Sequence, residues 1–256
     1  MSAPPVTPSW ASADPYAYAL RAGRGPLFLR RADGWLLPLE VERWCARADA
    51  VDREVLDRCE GAVLDVGCGP GRLVAELATR GSAALGIDVS EAAVDRTERL
   101  GGPALRRSVF DPLPGEGRWD TVLLMDGNVG IGGDPRALLQ RVAHLLLPGG
   151  LLIAETAPVD VDERAQVQVV DVPSGAHDDG RPFPWARLGS EALLRHAAPA
   201  GLAVDAQWSA GGRRFVALRS RSTEQVSTSA EPPNNAAVIS SQWGRNGEAD
   251  SPVADR

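Results

Sequence analysis

The chain has 256 residues, 44% of them hydrophobic, enough for one substantial core with extensions and not for two equal domains. Its formal charge is −7 and its basic residues, all arginines, form no block, which argues against the positive stripe of a nucleic-acid groove. No run has the length to span a bilayer, and residues 1–8 have neither a basic flank nor an apolar signal core, so the expectation is a cytoplasmic protein with small-molecule partners, no nucleic acid and no membrane.

Residues 1–14, rich in Pro, Ala and Ser, read as a flexible arm. Residues 15–60 carry helical patterning, broken by Gly23, Gly25-Pro26, Gly34 and Pro38, and read as a helical N-terminal cap with one or two continuous helices over 40–60. From 61 the pattern alternates: strand 62–66, helix 71–80, strand 83–87, helix 90–100, strand 104–107, strand 121–125, helix 135–147, strand 151–155. Such alternation predicts an α/β doubly wound, mostly parallel sheet. Ser90 fits an N-cap, Pro135 a first helical turn, and Pro148-Gly149-Gly150 a stop.

The stretch 158–189, dense in Asp, Pro and Gly with one β-like run at 166–170, reads as an insertion in a domain that covers 61–220. A short helix from Ser190 and two strands around Gly211-Gly212 then add an antiparallel C-terminal hairpin. Residues 221–256 have few large apolar side chains and read as a disordered tail. Cys45, Cys59 and Cys68 are an odd count without metal-type spacing, so reduced packing thiols are expected and no metal site.

The densest chemical signal is Ala62-Val-Leu-Asp-Val-Gly-Cys-Gly-Pro-Gly71, an apolar strand running into three glycines at alternate positions. Bare backbone there admits a ligand, and Asp88, at the end of the next apolar run, stands at about the separation a βαβ nucleotide site places before its ribose-binding acid. The pair points to a nucleoside, although three glycines also suit a plain strand-to-helix turn. A dinucleotide fingerprint needs glycine at the sixth position from Gly67, where Arg72 stands, and a phosphate-binding loop needs a lysine that the chain lacks.

Asp65-Val-Gly-Cys-Gly-Pro-Gly71 resembles the first motif of class I S-adenosylmethionine-dependent methyltransferases. Asp88-Val89-Ser90, Phe110-Asp111-Pro112-Leu113-Pro114, Trp119-Asp120 and Leu147-Pro148-Gly149-Gly150 follow in that family's order, so the resemblance spans about 60–155. It implies a Rossmann-like methyltransferase sheet and S-adenosyl-L-methionine as cofactor. The methionyl part would lie on Gly67, Cys68, Gly69 and Gly71, with Asp65 accepting from its ammonium. Asp88 and Val89 would hold the ribose and Ser108 and Val109 the adenine, Ser108 standing where the family commonly has Asp.

The loop Asp126-Gly-Asn-Val-Gly-Ile-Gly-Gly-Asp134 follows the fourth strand, at the carboxyl edge where open α/β sheets present ligands. Asp126 is expected against the cofactor, and Asp126 and Asn128 are the candidates to orient the nucleophile or accept its proton. The family's amino- and nucleobase-methylating members carry Asn/Asp-Pro-Pro-aromatic here, and this chain does not. His177 is the histidine expected nearest a substrate, while His144 and His196 read as helix residues. The expected activity is methyl transfer to a small-molecule acceptor by in-line displacement. Its alternatives are a non-catalytic S-adenosylmethionine-binding module or an NAD-dependent oxidoreductase.

Overall fold

The computed structural model describes residues 15–171 and 181–221. The expected arm, all but the first residue of the expected tail, and His177 lie outside the described residues. The segment ahead of the glycine turn forms helix α1 (Pro15–Ala22), strands β1 (Phe28–Arg31) and β2 (Leu36–Pro38), and helices α2 (Val41–Cys45) and α3 (Ala50–Leu56). Helix α3 starts on a reciprocal cap, with the Asp49 carboxylate accepting from the Asp52 amide while the Asp52 carboxylate accepts from the Asp49 amide.

The expectation of a purely helical cap is corrected by β1 and β2. Both are too short to advertise themselves, and their turn is made locally, the Trp35 amide donating to Asp33 at 3.1 Å. What holds β1 extended is a distant partner, Phe28–Arg31 pairing antiparallel with Val167–Val170. That partner is strand β8 (Asp162–Val170), which with β9 (Phe183–Leu188) makes the expected insertion a hairpin. The result is a four-stranded sheet in the order β2-β1-β8-β9.

The alternating stretch keeps the expected order: β3 (Val63–Val66), α4 (Arg72–Thr79), β4 (Ala84–Asp88), α5 (Glu91–Arg99), β5 (Ala104–Arg106), β6 (Trp119–Leu124), α6 (Pro135–Leu145) and β7 (Leu146–Thr156), except that Pro148-Gly149-Gly150, expected to stop the helix, lies within β7. After the small-sheet hairpin come α7 (Ser190–Ala197), β10 (Leu202–Ala210) and β11 (Arg213–Ser220). The large sheet runs β10-β11-β7-β6-β3-β4-β5, with β3 to β7 parallel and the last two strands antiparallel. Ser90 caps α5 by accepting from the Ala93 amide, and Asp134 caps α6, whose first residue is Pro135.

Strand alternation divides the core into two layers. Leu64, Val66, Val122, Leu124 and Leu152 pack with Leu138 and Val142 of α6 and Leu193 of α7. On the other face Val63, Leu123, Met125, Ile153 and Phe215 pack with Val55 of α3 and Leu73 and Leu77 of α4. A third cluster joins Leu29, Val167, Val169 and Phe183 of the small sheet to Ala19 and Leu20 of α1 and to Val41. The small sheet thereby roofs the carboxyl edge of the large one. Among the described residues no helix is long and apolar enough to cross a membrane.

Candidate active site

Between the carboxyl edge of the large sheet and the small sheet lies a cavity of about 660 Å³, within the ordinary range for small-molecule sites. Gly67, Cys68, Gly69, Asp88, Val89, Ser108, Val109, Asp126 and Asn128 all line it. Asp88 ends β4, its Oδ2 accepting from the Gly69 amide at 3.0 Å and its Oδ1 from the Ser90 amide at 2.8 Å. Each oxygen keeps a further lone pair, the chemistry that two neighbouring hydroxyls need. Burial pushes the Asp88 carboxyl up to about 6, against the pull of those amides.

Asn128 braces the turn that it faces. Its Nδ2 donates to the carbonyls of Val66 and Gly67, both at 2.9 Å, and a Cβ on Gly67 would stand 2.6 Å from that nitrogen. The Ser108 hydroxyl accepts from the Phe110 amide at 3.2 Å, which ties it into its own turn, and the Val109 carbonyl accepts from Arg141 Nε. Tyr16 of α1 also lines the cavity, its hydroxyl 3.6 Å from where a Gly69 Cβ would be, and burial, then Asp88, raises its pKa well above the usual phenol value.

Two residues expected against the cofactor stand elsewhere. Gly71 is absent from the cavity wall; a Cβ there would meet the Thr97 side chain at 2.3 Å, so this glycine lets α4 and α5 approach. Asp65 is absent from the wall too, because the two-residue period of β3 gives the cavity Val66 and turns Asp65 to the other face. It is 2% exposed, its Oδ2 is buried without a hydrogen-bond partner, and burial pushes its carboxyl up to about 7.

The expected nucleophile-activating role of Asp126 meets a different geometry. Arg72 Nη1 donates to its Oδ2 at 2.7 Å, Arg72 Nη2 to its Oδ1 at 3.1 Å, and Arg43 Nη2 to the same Oδ1 at 2.7 Å. Burial works against ionisation of Asp126, but Arg72 and Arg43 outweigh it and hold the carboxyl below its usual value. Its backbone sits at φ +56, and its amide donates to Glu155 Oε2 at 2.9 Å. An acid so held is a poor proton acceptor.

The arginines continue the chain of contacts. Arg72 Nε and Nη2 reach Asp52 at 2.8 and 3.1 Å, and Arg213 bonds both Asp52, at 2.8 Å, and both oxygens of Glu155, at 2.9 and 2.7 Å. Three guanidiniums and three carboxylates thus join α2, α3, α4, β11 and the ends of β6 and β7. Sequence reading passed over Asp52, Arg43, Arg213, Glu155 and Tyr16, and used Arg72 only to reject a dinucleotide site. An arginine beside the glycine turn, in an otherwise apolar first turn of α4, was the one local signal. Among the described residues no three His, Cys, Asp or Glu are placed to hold a metal ion.

A family model described as a methyltransferase domain matches residues 40–206. The chain belongs to this methyltransferase family. Solved structures sharing the fold include an S-adenosylmethionine-dependent methyltransferase from Bacteroides fragilis with bound S-adenosyl-L-homocysteine, at TM-score 0.66 and 20% identity, covering 86% of this chain and 98% of that one. A sugar N-methyltransferase from Streptoalloteichus sp. aligns at TM-score 0.50 and 21% identity over 70% of this chain and 88% of its own. The 1,6-didemethyltoxoflavin-N1-methyltransferase of Burkholderia thailandensis aligns at 0.50 and 19% over 68% and 76%. No curated protein matches the sequence. The methyltransferase thus has the S-adenosylmethionine-binding fold that its motifs resemble, with the antiparallel last strands expected of it.

Proposed function

We propose that this methyltransferase transfers the methyl group of S-adenosylmethionine to a small-molecule acceptor enclosed under the four-stranded sheet. The observation that carries this reading is the shared cavity, in which the glycine turn and Asp88 form one wall and the small sheet the other. When bound, S-adenosylmethionine supplies an electrophilic methyl carbon on a sulfonium leaving group. The residues present fit it: Asp88 has the lone pairs for a ribose diol, Gly67 and Gly69 expose backbone for the methionyl part, and Ser108 and Val109 stand at the cavity edge proposed for adenine.

The protein's own contribution is placement. Asn128 fixes the glycine turn, Arg72 and Arg43 fix Asp126 and the loop behind it, and Tyr16 closes the cavity from α1. Positioning a nucleophile near the methyl carbon can supply on the order of 7–11 kcal/mol at the upper limit, so a dedicated base is not required. Asp126 is proposed as a positioning residue, and Asp65 as a buried negative charge behind the turn whose ionised form a cofactor ammonium would favour.

Calorimetry with S-adenosylhomocysteine, followed by an assay for its formation from S-adenosylmethionine in a metabolite extract, tests the reading. We expect binding and product. Binding without turnover in any extract would leave a cofactor-holding module instead.

A further inference from the structure

The acidic side chains of the cavity wall are already claimed. Glu40 pairs with Arg43, Asp126 with Arg43 and Arg72, Glu155 with Arg213, and Asp88 accepts two backbone amides and is the proposed partner of a ribose. The side chains of that wall with hydrogen-bond donors to spare include positive ones. Arg107 lines it and, among the described residues, has no acidic partner, its Nη1 donating only to the Arg106 carbonyl. Arg187 lines it too and gives a single nitrogen to Glu163, at 3.0 Å. Two further donors on wall residues, Arg43 Nη1 and Trp44 Nε1, are buried without a partner. Orphaned donors of this kind are scarce in folded proteins, and a ligand oxygen is one way to satisfy them.

Arg187 is fixed from two sides. Glu163 holds its Nη1, and its guanidinium lies 4.8 Å from the Trp35 ring centroid, a cation–π contact. Along β9, Phe183, Trp185 and Arg187 alternate onto one face, and the first two rings meet edge to face with centroids 6.2 Å apart. One strand therefore offers an aromatic surface followed by a rigid guanidinium, in reach of the same cavity.

We propose that the acceptor is a planar aromatic molecule bearing a carboxylate, its ring against Phe183 and Trp185 and its carboxylate against Arg187. This rests on the proposed methyl transfer to a small molecule. A charge-assisted pair with Arg187 is stronger than a neutral hydrogen bond, and its planar fork matches a carboxylate.

The test uses the full chain saturated with S-adenosylhomocysteine at pH 8. Calorimetry compares 4-hydroxybenzoate, 4-aminobenzoate and 4-hydroxycinnamate with their carboxamides. We expect at least one acid to bind, ten-fold or more tighter than its amide, and Arg187→Gln to bring that ratio near one while S-adenosylhomocysteine affinity stays within two-fold. Arg187→Lys should keep part of the ratio. Amides that bind as well as acids, acids that fail to bind at millimolar concentration, or a ratio that survives Arg187→Gln each overturn the proposal; the wild-type comparison decides even if the variants fail to fold. Failure of the wild type to bind S-adenosylhomocysteine itself would instead remove the methyl-transfer reading on which it rests.

Discussion

Arg72 grips Asp126 and Asp52 at once, with two hydrogen bonds to each carboxylate at 2.7 to 3.1 Å, and is itself only 4% exposed. One guanidinium thus connects the helix ahead of the glycine turn to the loop after β6. The arrangement is structural before it is chemical, and it sets the first expectations.

Arg72→Met should destabilise the protein by about 3 kcal/mol or more, since breaking a buried pair leaves charge without its partner. Urea unfolding measures it. Asp52 gives the sign of the pH dependence: burial opposes its ionisation, but Arg72 and Arg213 hold it down at about 2, below the ordinary carboxylate range. Its folded value lies below the unfolded one, so its contribution is present above pH 4 and is lost as pH falls toward 2. In Arg72→Met that acid limb should move to higher pH, and an unmoved limb would show that Arg213 alone holds Asp52.

Asp126→Asn should leave the pH profile of turnover unchanged in shape while lowering stability and cofactor affinity together. A base would behave otherwise: its removal would erase a limb of the kcat profile. The profile therefore separates positioning from proton transfer.

Asp88 should make cofactor binding pH-dependent. Its carboxyl is raised to about 6 by burial, and a ribose diol is held best by the ionised form, so binding below pH 6 releases a proton. We expect Asp88 to lower S-adenosylhomocysteine affinity by up to about ten-fold per pH unit below 6, the limit for one linked proton, and calorimetry in two buffers to detect the release. Asp88→Asn should bind at least ten-fold more weakly at pH 8 and lose this share of the dependence, leaving the share carried by Asp65.

Asp65 has the opposite stability sign from Asp52. Its folded carboxyl titrates at about 7, above its unfolded value, so the ligand-free protein loses stability as pH rises from about 4 to 7. The upper limit is about 1.4 kcal/mol per pH unit of separation. Asp65→Asn should raise the melting temperature of the ligand-free protein at pH 8 and have little effect at pH 4, while weakening cofactor binding. A variant less stable than wild type at pH 8 would contradict the burial penalty.

Gly71→Ala and Gly127→Ala separate strain from collision. Both glycines have positive φ, +86 and +84, but a Cβ meets Thr97 at 2.3 Å in the first case and nothing within 4 Å in the second. Gly127→Ala should cost about 1–2 kcal/mol for the backbone conformation alone, and Gly71→Ala clearly more. Thermal unfolding of the pair gives the difference.

The parallel half of the fold was legible because each element announces itself locally. Ser90 sits at a helix start, Pro135 in a first helical turn, and apolar runs of strand length alternate with helical ones. Strands β1 and β2 were not legible, because Phe28–Arg31 is held extended by Val167–Val170, far along the chain. The same reason hid the charge network: Arg43 and Asp126 are 83 positions apart, and Arg213 and Asp52 are 161 apart. Short-range pattern carries periodicity and caps, whereas ion pairs of this span exist only once the sheet is assembled. Asp126 was legible by its place at a strand end, whereas the ion pairs that favour a positioning role for it were not, because Arg43 and Arg72 lie 83 and 54 positions away.

The four-stranded roof takes one half from residues 28–38 and the other from 162–188, on either side of the stretch that builds the five parallel strands. A chain emerging from the ribosome therefore carries β1 paired with β2 alone, its other edge open until more than a hundred further residues have followed it. Pairing across such a separation is slow to form, because the loop must close before any contact rewards it. The cavity is completed late in synthesis, and a chain halted just past β7 would have the glycine turn and Asp88 with only half a ceiling above them.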